Sequence, residues 1–360
     1  MPIATFDHDR RLAQARGSLS KHGLSALIVA AGADLRYLTG YDALPLERLT
    51  CLVVTATDQP LLVVPHLELP AAAAAVDSAD GLEIWDYPDG VDPCRFIADA
   101  LAGITTGTVA VTEQMWSAHL LRLQAALPGI NWTPTAALLG PMRARKSAAE
   151  IIALAEAGAA IDAVHQQMGR WLRPGRTERE VAADIADAMR KAGHERVDFV
   201  IVAAGPHSAS PHHQPANTTI TSGDPIVVDI AGTMPSGYCS DCTRTYLLGQ
   251  PPAGFLSYYE ILRQAQRAAV AAVAPAVTAA SIDAVARNMI SDAGHGPSFV
   301  HRTGHGIGLD THNSPTSTRA TTTRSWRARC SAWNRESTSP ACTAPASRTS
   351  SSAPTSVHNG

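Results

Sequence analysis

The sequence predicts two domains, an α/β amino-terminal domain followed by an α+β carboxy-terminal domain. The chain has 360 residues, and a single hydrophobic core rarely grows past about 250 to 300 residues. Helical and strand patterns alternate over the first part of the chain, whereas strands and helices occur in separate groups farther along. We place the domains at residues 1–135 and 142–312.

A helix begins the amino-terminal domain, where Leu12, Ala15 and Leu19 recur at helical spacing. Short apolar runs follow, and their length suits strands that are covered on both faces. These runs lie at residues 26–30, 52–55 and 61–64. Helices expected at residues 93–102 and 113–127 supply the cover, which gives the α/β class.

The carboxy-terminal domain begins with two helices. A long Ala-rich helix is expected after Ser147 and reaches to about Leu172. Thr177 and Glu180 form a capping box that begins the next helix, near residues 178–191. The remaining expected elements are strands at residues 197–204, 225–231, 243–248 and 298–302, and helices at residues 256–273 and from Ser281 onward.

The composition changes at Asn313. Of the last 48 residues, 20 are Ser or Thr and 6 are Arg. Such a segment cannot bury enough apolar surface to offset the entropy lost on ordering. We therefore expect residues 313–360 to form an aberrant, disordered tail, and the carboxy-terminal domain to be incomplete.

The charge and hydropathy of the chain exclude several classes of partner. The formal net charge of −3 gives no electrostatic footprint for nucleic acid or for an anionic membrane. The sequence begins without the apolar segment of a secretory signal, and no apolar run reaches the ~20 residues of a membrane span. We expect a cytoplasmic protein that acts on a small soluble ligand.

The strongest chemical signal is a pair of carboxylates, Asp229 and Asp241, which close two successive apolar strands joined by a Gly/Pro turn. A hairpin would bring them together. Two carboxylates a few Å apart repel and need a cation between them, so the pair predicts a site for hard divalent metal ions. Taken alone, an Asp after an apolar strand also suits a turn or a cap.

Histidines near glycines form the second signal. His301, His305 and His312 follow one another closely, and glycines on both sides of His305 let backbone and substrate approach. Imidazole is a common metal ligand and the usual proton shuttle, although a lone histidine is more often structural. A loop after the 197–204 strand adds His212, which either points at the same site or lies on a polar surface.

A competing interpretation comes from Cys239 and Cys242, since a Cys-x-x-Cys pair can be half a zinc site or a redox pair. No second pair with zinc-ligand spacing occurs in the sequence. On a strand, Cys239 and Asp241 point to one face and Cys242 to the other. We expect the six cysteines to be reduced thiols.

Together these motifs resemble the pita-bread-fold metallopeptidases, the family of prolidase, aminopeptidase P and methionine aminopeptidase, with creatinase as a metal-free relative. The resemblance spans residues 7–312 and is carried by the segment from Asp229 to Thr245 and by the Gly-Ile-Gly context after His305. The amino-terminal domain, with Tyr37-Leu-Thr-Gly-Tyr41, resembles prolidase and aminopeptidase P more than methionine aminopeptidase.

The resemblance implies a creatinase-like α/β domain, a pita-bread (creatinase/aminopeptidase-like) catalytic domain and a homodimer. It implies two divalent metal ions, manganese foremost with cobalt or zinc as alternatives, and a peptide substrate with proline after the cleaved bond. The implied metal ligands are Asp229, Asp241 and His305, with Asp241 bridging both ions. The implied catalytic contacts to the peptide are His212, His301 and His312.

The chain departs from the family pattern after His312, which is followed by Asn313 where the family has Glu. The two last glutamate ligands of the family are also absent, and the only acid after Asp310 is Glu336. Both missing glutamate motifs can be written in a shifted reading frame of the tail. We therefore interpret the tail as frameshifted, through mutation or sequencing error.

The loss of these glutamates leaves three interpretations of function. The first is a dinuclear Xaa-Pro peptidase that is weakened or inactive in this chain. The second is a peptide-binding pseudoenzyme that keeps the pocket without the metals. The third is a creatinase-like hydrolase that needs no metal, against which the close pair Asp229 and Asp241 argues. The sequence does not choose between dipeptidase and aminopeptidase action.

Overall fold

A computed structural model describes residues 6–76 and 81–317 of the chain. The chain divides into two compact units, Met1–Ala144 and Arg145–Gly360. The fold classes expected from the sequence are confirmed, since the first unit is α/β and the second is α+β. Over the two described stretches, no helix is both long and apolar enough to cross a lipid bilayer.

The amino-terminal unit is built on a mixed six-stranded sheet with the order β4-β3-β2-β1-β5-β6. Its strands are β1 (Ala26–Ala30), β2 (Cys51–Thr55), β3 (Leu61–Pro65), β4 (Glu83–Tyr87), β5 (Gly107–Val111) and β6 (Ile130–Pro134). Its helices are α1 (His8–Ser18), α2 (Ala33–Thr39), α3 (Leu69–Ala75), α4 (Pro93–Ala100), α5 (Ser117–Ala126) and α6 (Ala136–Ala144). The central strand β1 is buried along its whole length, as a continuous apolar run requires.

Three of these strands, β4, β5 and β6, were not expected from the sequence. The outermost strands β4 and β6 carry polar residues such as Asp86 and Asn131 and are only partly buried. Because an edge strand is not covered on every side, it needs no continuous apolar run. The apolar pattern therefore predicted β1, β2 and β3 and missed the edges, and it also missed the interior strand β5, although the last three residues of β5 are buried.

The carboxy-terminal unit contains two antiparallel sheets among its described residues, one with the order β7-β8-β9 and one formed by β10 and β11. The strands are β7 (Arg196–Ala204), β8 (Pro225–Thr233), β9 (Cys239–Leu247), β10 (Gly304–Gly306) and β11 (Asn313–Ser317). The helices are α7 (Ala148–His165), α8 (Glu178–Lys191), α9 (Phe255–Ala271) and α10 (Ala279–Asp292). Helices α7 and α8 pack on the first sheet through Ile161, Val181, Ile185, Val228 and Ile230.

The predicted capping box of Thr177 and Glu180 is confirmed at the start of α8. The predicted end of the preceding helix was wrong. Helix α7 ends at His165, and a 3₁₀ turn over Met168–Arg170 follows. Such i→i+3 turns commonly tighten the end of a helix, and the apolar pattern continues through the turn because Leu172 is still buried.

Three further expectations in this unit were wrong. Residues 298–302 do not form a strand; a 3₁₀ turn ends at Ser298 and the next strand begins at Gly304. Helix α10 begins before Ser281, because the side chain of Thr278 caps it by accepting the Ser281 N–H. Residues 313–317, which we assigned to the disordered tail, form β11. The rest of the expected tail lies outside the described residues.

Candidate metal centre

Two carboxylates share one face of the β8–β9 hairpin. Asp229 pairs with Thr243, and Asp241 pairs with Ala231. Since side chains alternate between the faces of a strand, the two carboxylates are diagonal neighbours on the same face. The strand expected at residues 243–248 begins earlier, at Cys239, so that Asp241 lies inside it. The carboxylates therefore sit inside the hairpin and not at its ends.

The turn between β8 and β9 closes the hairpin tightly. The Gly237 N–H donates to the Met234 carbonyl at 2.7 Å, and the Met234 N–H donates to the Tyr238 carbonyl at 3.0 Å. Gly237 has a φ of 84°, which glycine adopts without the strain a side chain would bring. The buried Tyr238 hydroxyl donates to Glu150 on α7 at 2.9 Å. The expected hairpin is confirmed, and α7 holds it from one side.

Burial and a neighbouring negative charge both act on Asp229. The pKa of Asp229 is raised to about 6, first because the carboxyl group is buried and second because Asp241 is negatively charged. The Thr243 hydroxyl opposes the shift by donating to Asp229 at 2.6 Å, and the charges of His212 and His305 oppose it further. A cation between the carboxylates would remove the repulsion that raises this pKa.

Two histidines meet Asp241 from another part of the chain. Asp241, His305 and His312 each offer one ligand atom, and these atoms lie within 4.8 Å of one another. His305 Nε2 is 3.4 Å from Asp241 Oδ2, and the ring centroids of the two histidines are 4.2 Å apart. Partial burial and the neighbouring His305 lower the pKa of His312, which favours the neutral imidazole that metal ions bind.

The short strand β10 and the loop after it bring these histidines to the hairpin. The register between β10 and β11 is irregular directly after His305, and such bulges redirect a side chain. The Cys239 N–H donates to the Gly308 carbonyl at 2.8 Å. The loop is thereby fastened to the first residue of β9, next to Asp241.

Three of the predicted site residues lie outside the group of Asp241, His305 and His312, namely Asp229, described above, and His301 and His212. The exposed His301 bonds through Nδ1 to the Arg302 carbonyl at 2.8 Å and packs edge-on against Phe299. Over the described chain, no hydrogen bond or ring contact joins His301 to another predicted site residue. His212 is exposed in the loop between β7 and β8, and it lies near enough to Asp229 to influence that pKa.

A second group of possible ligands was not expected from the sequence. Glu178, His207 and His213 also offer ligand atoms within 4.8 Å of one another, and Glu178 is fully buried. The sequence features that could have indicated this group are an acidic residue in the first turn of a helix, Glu178, and a histidine-rich loop farther along the chain. We instead expected only His212 to be functional, as the family resemblance implies, and the sequence does not show which of two adjacent histidines turns inward.

The Cys-x-x-Cys interpretation finds no support in the geometry. Cys239 and Cys242 are both buried, and their positions on β9 place their side chains on opposite faces of the sheet. Cys239 shares its face with Asp241, while Cys242 packs in the core between the sheet and the helices. The two sulfurs therefore do not form one site.

The donors on the carboxylate face fit a divalent cation. Carboxylate oxygens and imidazole nitrogens together suit manganese, cobalt or zinc. Asp229, Asp241 and His305, the expected ligands, supply both kinds of donor. His312 offers a second imidazole beside Asp241 and His305. Burial and the neighbouring Asp241 raise the pKa of Asp229, and a cation bound between the two carboxylates would lower it again.

The glutamates that the family resemblance implies would lie after His312, and the structure describes only the first residues of that segment. Asn313, where the family resemblance implies Glu, pairs with Gly306 in the β10–β11 hairpin. Residues 333–340 and 344–350, whose shifted frame would restore the two glutamate motifs, lie outside the described residues. The frameshift therefore stays a hypothesis.

Comparison with known proteins bears on both units. Residues 153–329 match the model of metallopeptidase family M24, and residues 11–145 match the creatinase/prolidase N-terminal domain. The chain is 46% identical over 306 residues to the probable dipeptidase PepE of Mycobacterium tuberculosis, which covers 85% of this chain and 81% of that protein. It is 34% identical over 288 residues to the Xaa-Pro dipeptidase of Lactobacillus helveticus, covering 78% and 77%.

Solved structures give the same result. The dipeptidase PepE from Mycobacterium ulcerans superposes with a TM-score of 0.83 at 47% identity, covering 87% of this chain and 84% of that chain. The prolidase from Thermococcus sibiricus superposes with a TM-score of 0.83 at 30% identity, covering 89% and 87%. The chain belongs to metallopeptidase family M24 and has the two-domain creatinase/prolidase fold.

Proposed function

We propose that this metallopeptidase hydrolyses Xaa-Pro bonds, in dipeptides or at the amino terminus of peptides. The observation that carries the proposal is the convergence of Asp229, Asp241 and His305, with the pKa of Asp229 raised by burial and by the charge of Asp241. The names of the relatives, Xaa-Pro dipeptidase and prolidase, support the choice of substrate.

In this proposal Asp229, Asp241 and His305 would hold two divalent ions. When bound, such a pair supplies Lewis-acid polarisation of the scissile carbonyl and acidifies water. Manganese is the first candidate, with cobalt or zinc as alternatives, because mixed carboxylate and imidazole donors accept each of them. A homodimer remains part of the proposal by family resemblance, and a cytoplasmic location remains part of it as well.

Three histidines are proposed to act on the peptide itself. His212, His301 and His312 contact the substrate, and their N–H groups donate to the oxygen that becomes negative in the transition state. The lowered pKa of His312 keeps its imidazole neutral near pH 7, so that it donates one proton and carries no charge that would repel the metals. His212 and His301 are exposed, and a substrate can reach them.

A second candidate function is a peptide-binding pseudoenzyme. It is favoured by the sequence after Asp310, where Glu336 is the only acid, so the family's last two ligands are missing. With three of the implied ligands present, the chain would bind metal weakly and turn over slowly. A creatinase-like hydrolase without metal is the third candidate, disfavoured by the repulsion between Asp229 and Asp241.

The test is hydrolysis of an Xaa-Pro dipeptide such as Ala-Pro with added manganese, with metal content measured on the same sample. The chain is compared with its Asp229→Asn variant and with a version whose tail is restored to the other frame. About two equivalents of metal with hydrolysis support the peptidase. Binding of Ala-Pro without turnover in both versions would replace it with the pseudoenzyme, and hydrolysis that survives a chelator would replace it with the metal-free hydrolase.

A further inference from the structure

The loop between β7 and β8 is held by one buried carboxylate. Glu178, the first residue of α8, is fully buried, and the loop that carries His212, residues 205–215, folds around it. Its oxygen Oε1 accepts the Ala204 N–H at 2.8 Å, just before the loop. Its oxygen Oε2 accepts the Ala216 N–H at 3.0 Å, just after the loop. We call residues 205–215 the His212 loop.

Two histidines inside the loop complete the contacts. His207 Nδ1 lies 2.9 Å from Oε1 of Glu178, and His213 Nε2 lies 2.8 Å from Oε2. An ionised carboxylate only accepts hydrogen bonds, so both imidazoles donate. The two rings also pack against each other with centroids 4.1 Å apart. Each oxygen thus receives one backbone N–H and one imidazole N–H.

This arrangement does not suit a metal ion, although the three side chains lie close enough for one. A carboxylate offers about four acceptor positions, and four donors already occupy them. The burial of Glu178 would raise its pKa, but the hydrogen bonds from Ala204, His213, Ala216 and His207 outweigh burial and lower it. Glu178 is therefore a carboxylate whose acceptor positions are filled by hydrogen-bond donors and not by a cation.

The backbone fixes the loop to α8 as well. The Glu178 N–H donates to the Thr218 carbonyl at 3.1 Å, and the Arg179 N–H donates to the Ala216 carbonyl at 3.0 Å. These are N–H groups in the first turn of the helix, which have no partner inside the helix. The negative charge of Glu178 is also favoured at this end of the helix. Helix and loop therefore satisfy each other's polar groups.

We propose that Glu178 is a positioning residue for His212: by holding His213 inward and clasping both ends of the His212 loop, it presents the adjacent, exposed His212 to a peptide bound at the Asp229–Asp241 face. The proposal rests on the proposed function, since it gives His212 a substrate. Catalytic placement is demanding, and a displacement of about 1 Å can cost roughly 100-fold in rate.

The test compares Glu178→Gln with Glu180→Gln in the full-length protein. Both variants remove one carboxylate from the first turn of α8, but Glu180 is exposed, and its side chain accepts hydrogen bonds from the backbone N–H and the hydroxyl of Thr177. For Glu178→Gln we expect faster hydrogen exchange over residues 205–216, and kcat for Ala-Pro reduced about 10- to 100-fold with little change in KM or manganese affinity. For Glu180→Gln we expect none of these changes, even if the melting temperature falls.

A second pair of variants separates positioning from general stability. His213→Gln keeps a donor near the position of Nε2, whereas His213→Ala removes it. We expect His213→Gln to retain most of the kcat and the slow exchange, and His213→Ala to behave like Glu178→Gln. Equal kcat and equal loop exchange in Glu178→Gln and Glu180→Gln would overturn the proposal.

The outcome also distinguishes this proposal from the proposed function. If the wild-type chain binds Ala-Pro without turnover, the hydrogen exchange of the His212 loop is the measurement that remains. Loss of slow exchange in Glu178→Gln, with slow exchange kept in Glu180→Gln and His213→Gln, then supports positioning while the peptidase assignment fails. Unchanged exchange in Glu178→Gln overturns positioning in that case too.

Discussion

Asp229 and Asp241 lie on one face of the β8–β9 hairpin, one diagonal step apart, because Asp229 pairs with Thr243 and Asp241 pairs with Ala231. Burial and this neighbouring charge raise the pKa of Asp229 to about 6. The metal-free protein therefore holds a carboxylate in a position that disfavours its charged form. Metal binding requires the charged form of Asp229, whereas burial of that charge lowers the free energy of unfolding. Both effects can be measured.

Replacement of Asp229 by Asn separates the two effects. We expect Asp229→Asn to abolish metal binding and to stabilise the chelator-treated protein at pH 8 by up to about 3 kcal/mol, because the uncharged side chain escapes both burial of charge and repulsion. Asn still offers an oxygen to the Thr243 hydroxyl. The measurement is metal content together with chemical unfolding. Asp187→Asn, an exposed position on α8, is the control and should change neither quantity.

The pH dependence of the metal-free protein follows from the same shift. The folded pKa of Asp229 lies at about 6, above the ordinary value of 3.8. Between these values the folded state binds more protons than the unfolded state, so the contribution of Asp229 to the free energy of unfolding decreases as pH rises. In Asp229→Asn this decrease should be absent. A pH series of chemical unfolding, with the two proteins side by side, measures it.

Metal binding should release a proton from Asp229 below pH 6. A ligand must be deprotonated to bind a metal ion, and this carboxyl group is partly protonated there because of its raised pKa. We expect manganese affinity to increase as pH rises through about 6. Calorimetry at pH 5.5 in two buffers of different ionisation enthalpy counts the protons, and equal apparent enthalpies in both buffers would contradict the prediction.

His305 and His301 should behave differently towards metal. His305 lies 3.4 Å from Asp241, while His301 bonds to the carbonyl of its neighbour Arg302. We expect His305→Ala to lower metal affinity more than roughly 100-fold, since even residues behind the ligands cost 10- to 100-fold. His301→Ala should leave metal affinity unchanged and lower kcat. Metal titration and Ala-Pro kinetics on both variants provide the measurement.

A buried ion pair supports the segment that leads to these histidines. Asp283 is fully buried and accepts from Arg287 at 2.7 and 3.0 Å and from Thr303 at 2.7 and 3.0 Å. Arg287 also donates to the carbonyls of Phe299 and His301. We expect Asp283→Ala to destabilise the protein by about 3 to 5 kcal/mol, because it leaves a partly buried cation without its partner. Chemical unfolding measures the loss.

An exposed ion pair of the same kind is the control for this prediction. Glu260 and Arg263 form bonds of 2.6 and 2.7 Å on α9, but both side chains are substantially exposed. Exposed pairs contribute little to stability because water screens them. Glu260→Ala should leave the unfolding midpoint almost unchanged. A loss as large as that of Asp283→Ala would show that burial is not what makes the Asp283 pair important.

Gly232 on β8 should not tolerate a methyl group. An added Cβ would lie 2.6 Å from His194 Cδ2, 2.8 Å from Met189 Cε and 3.0 Å from the Arg196 carbonyl oxygen. The backbone oxygen cannot move aside without moving β7, so we expect Gly232→Ala to cost about 1 to 3 kcal/mol of stability. Gly17→Ala in α1, where no atom lies within 4 Å, is the control and should be neutral or stabilising.

Apolar patterns in the sequence predicted several buried elements and missed the edge strands and the interior strand β5. The central strand over Ala26–Ala30 and the helix capping box of Thr177 and Glu180 were correctly predicted. Both depend on residues that are close together in the sequence, an apolar run in the first case and a Thr-x-x-Glu pattern in the second. The edge strand Glu83–Tyr87 left no such signal. The strand expected at residues 298–302 was wrong because a short apolar run also suits a turn that packs against a helix.

The sequence by itself determined the two fold classes and the residue types of a metal centre. It did so because apolar periodicity, glycine turns and carboxylate pairs are local properties of the chain. Only the tertiary structure decided that Asp241 lies within a strand, that His305 and His312 meet it, and that Glu178 holds the His212 loop. These contacts join segments far apart in sequence, and such contacts depend on how strands pair and loops fold back, which no local pattern encodes.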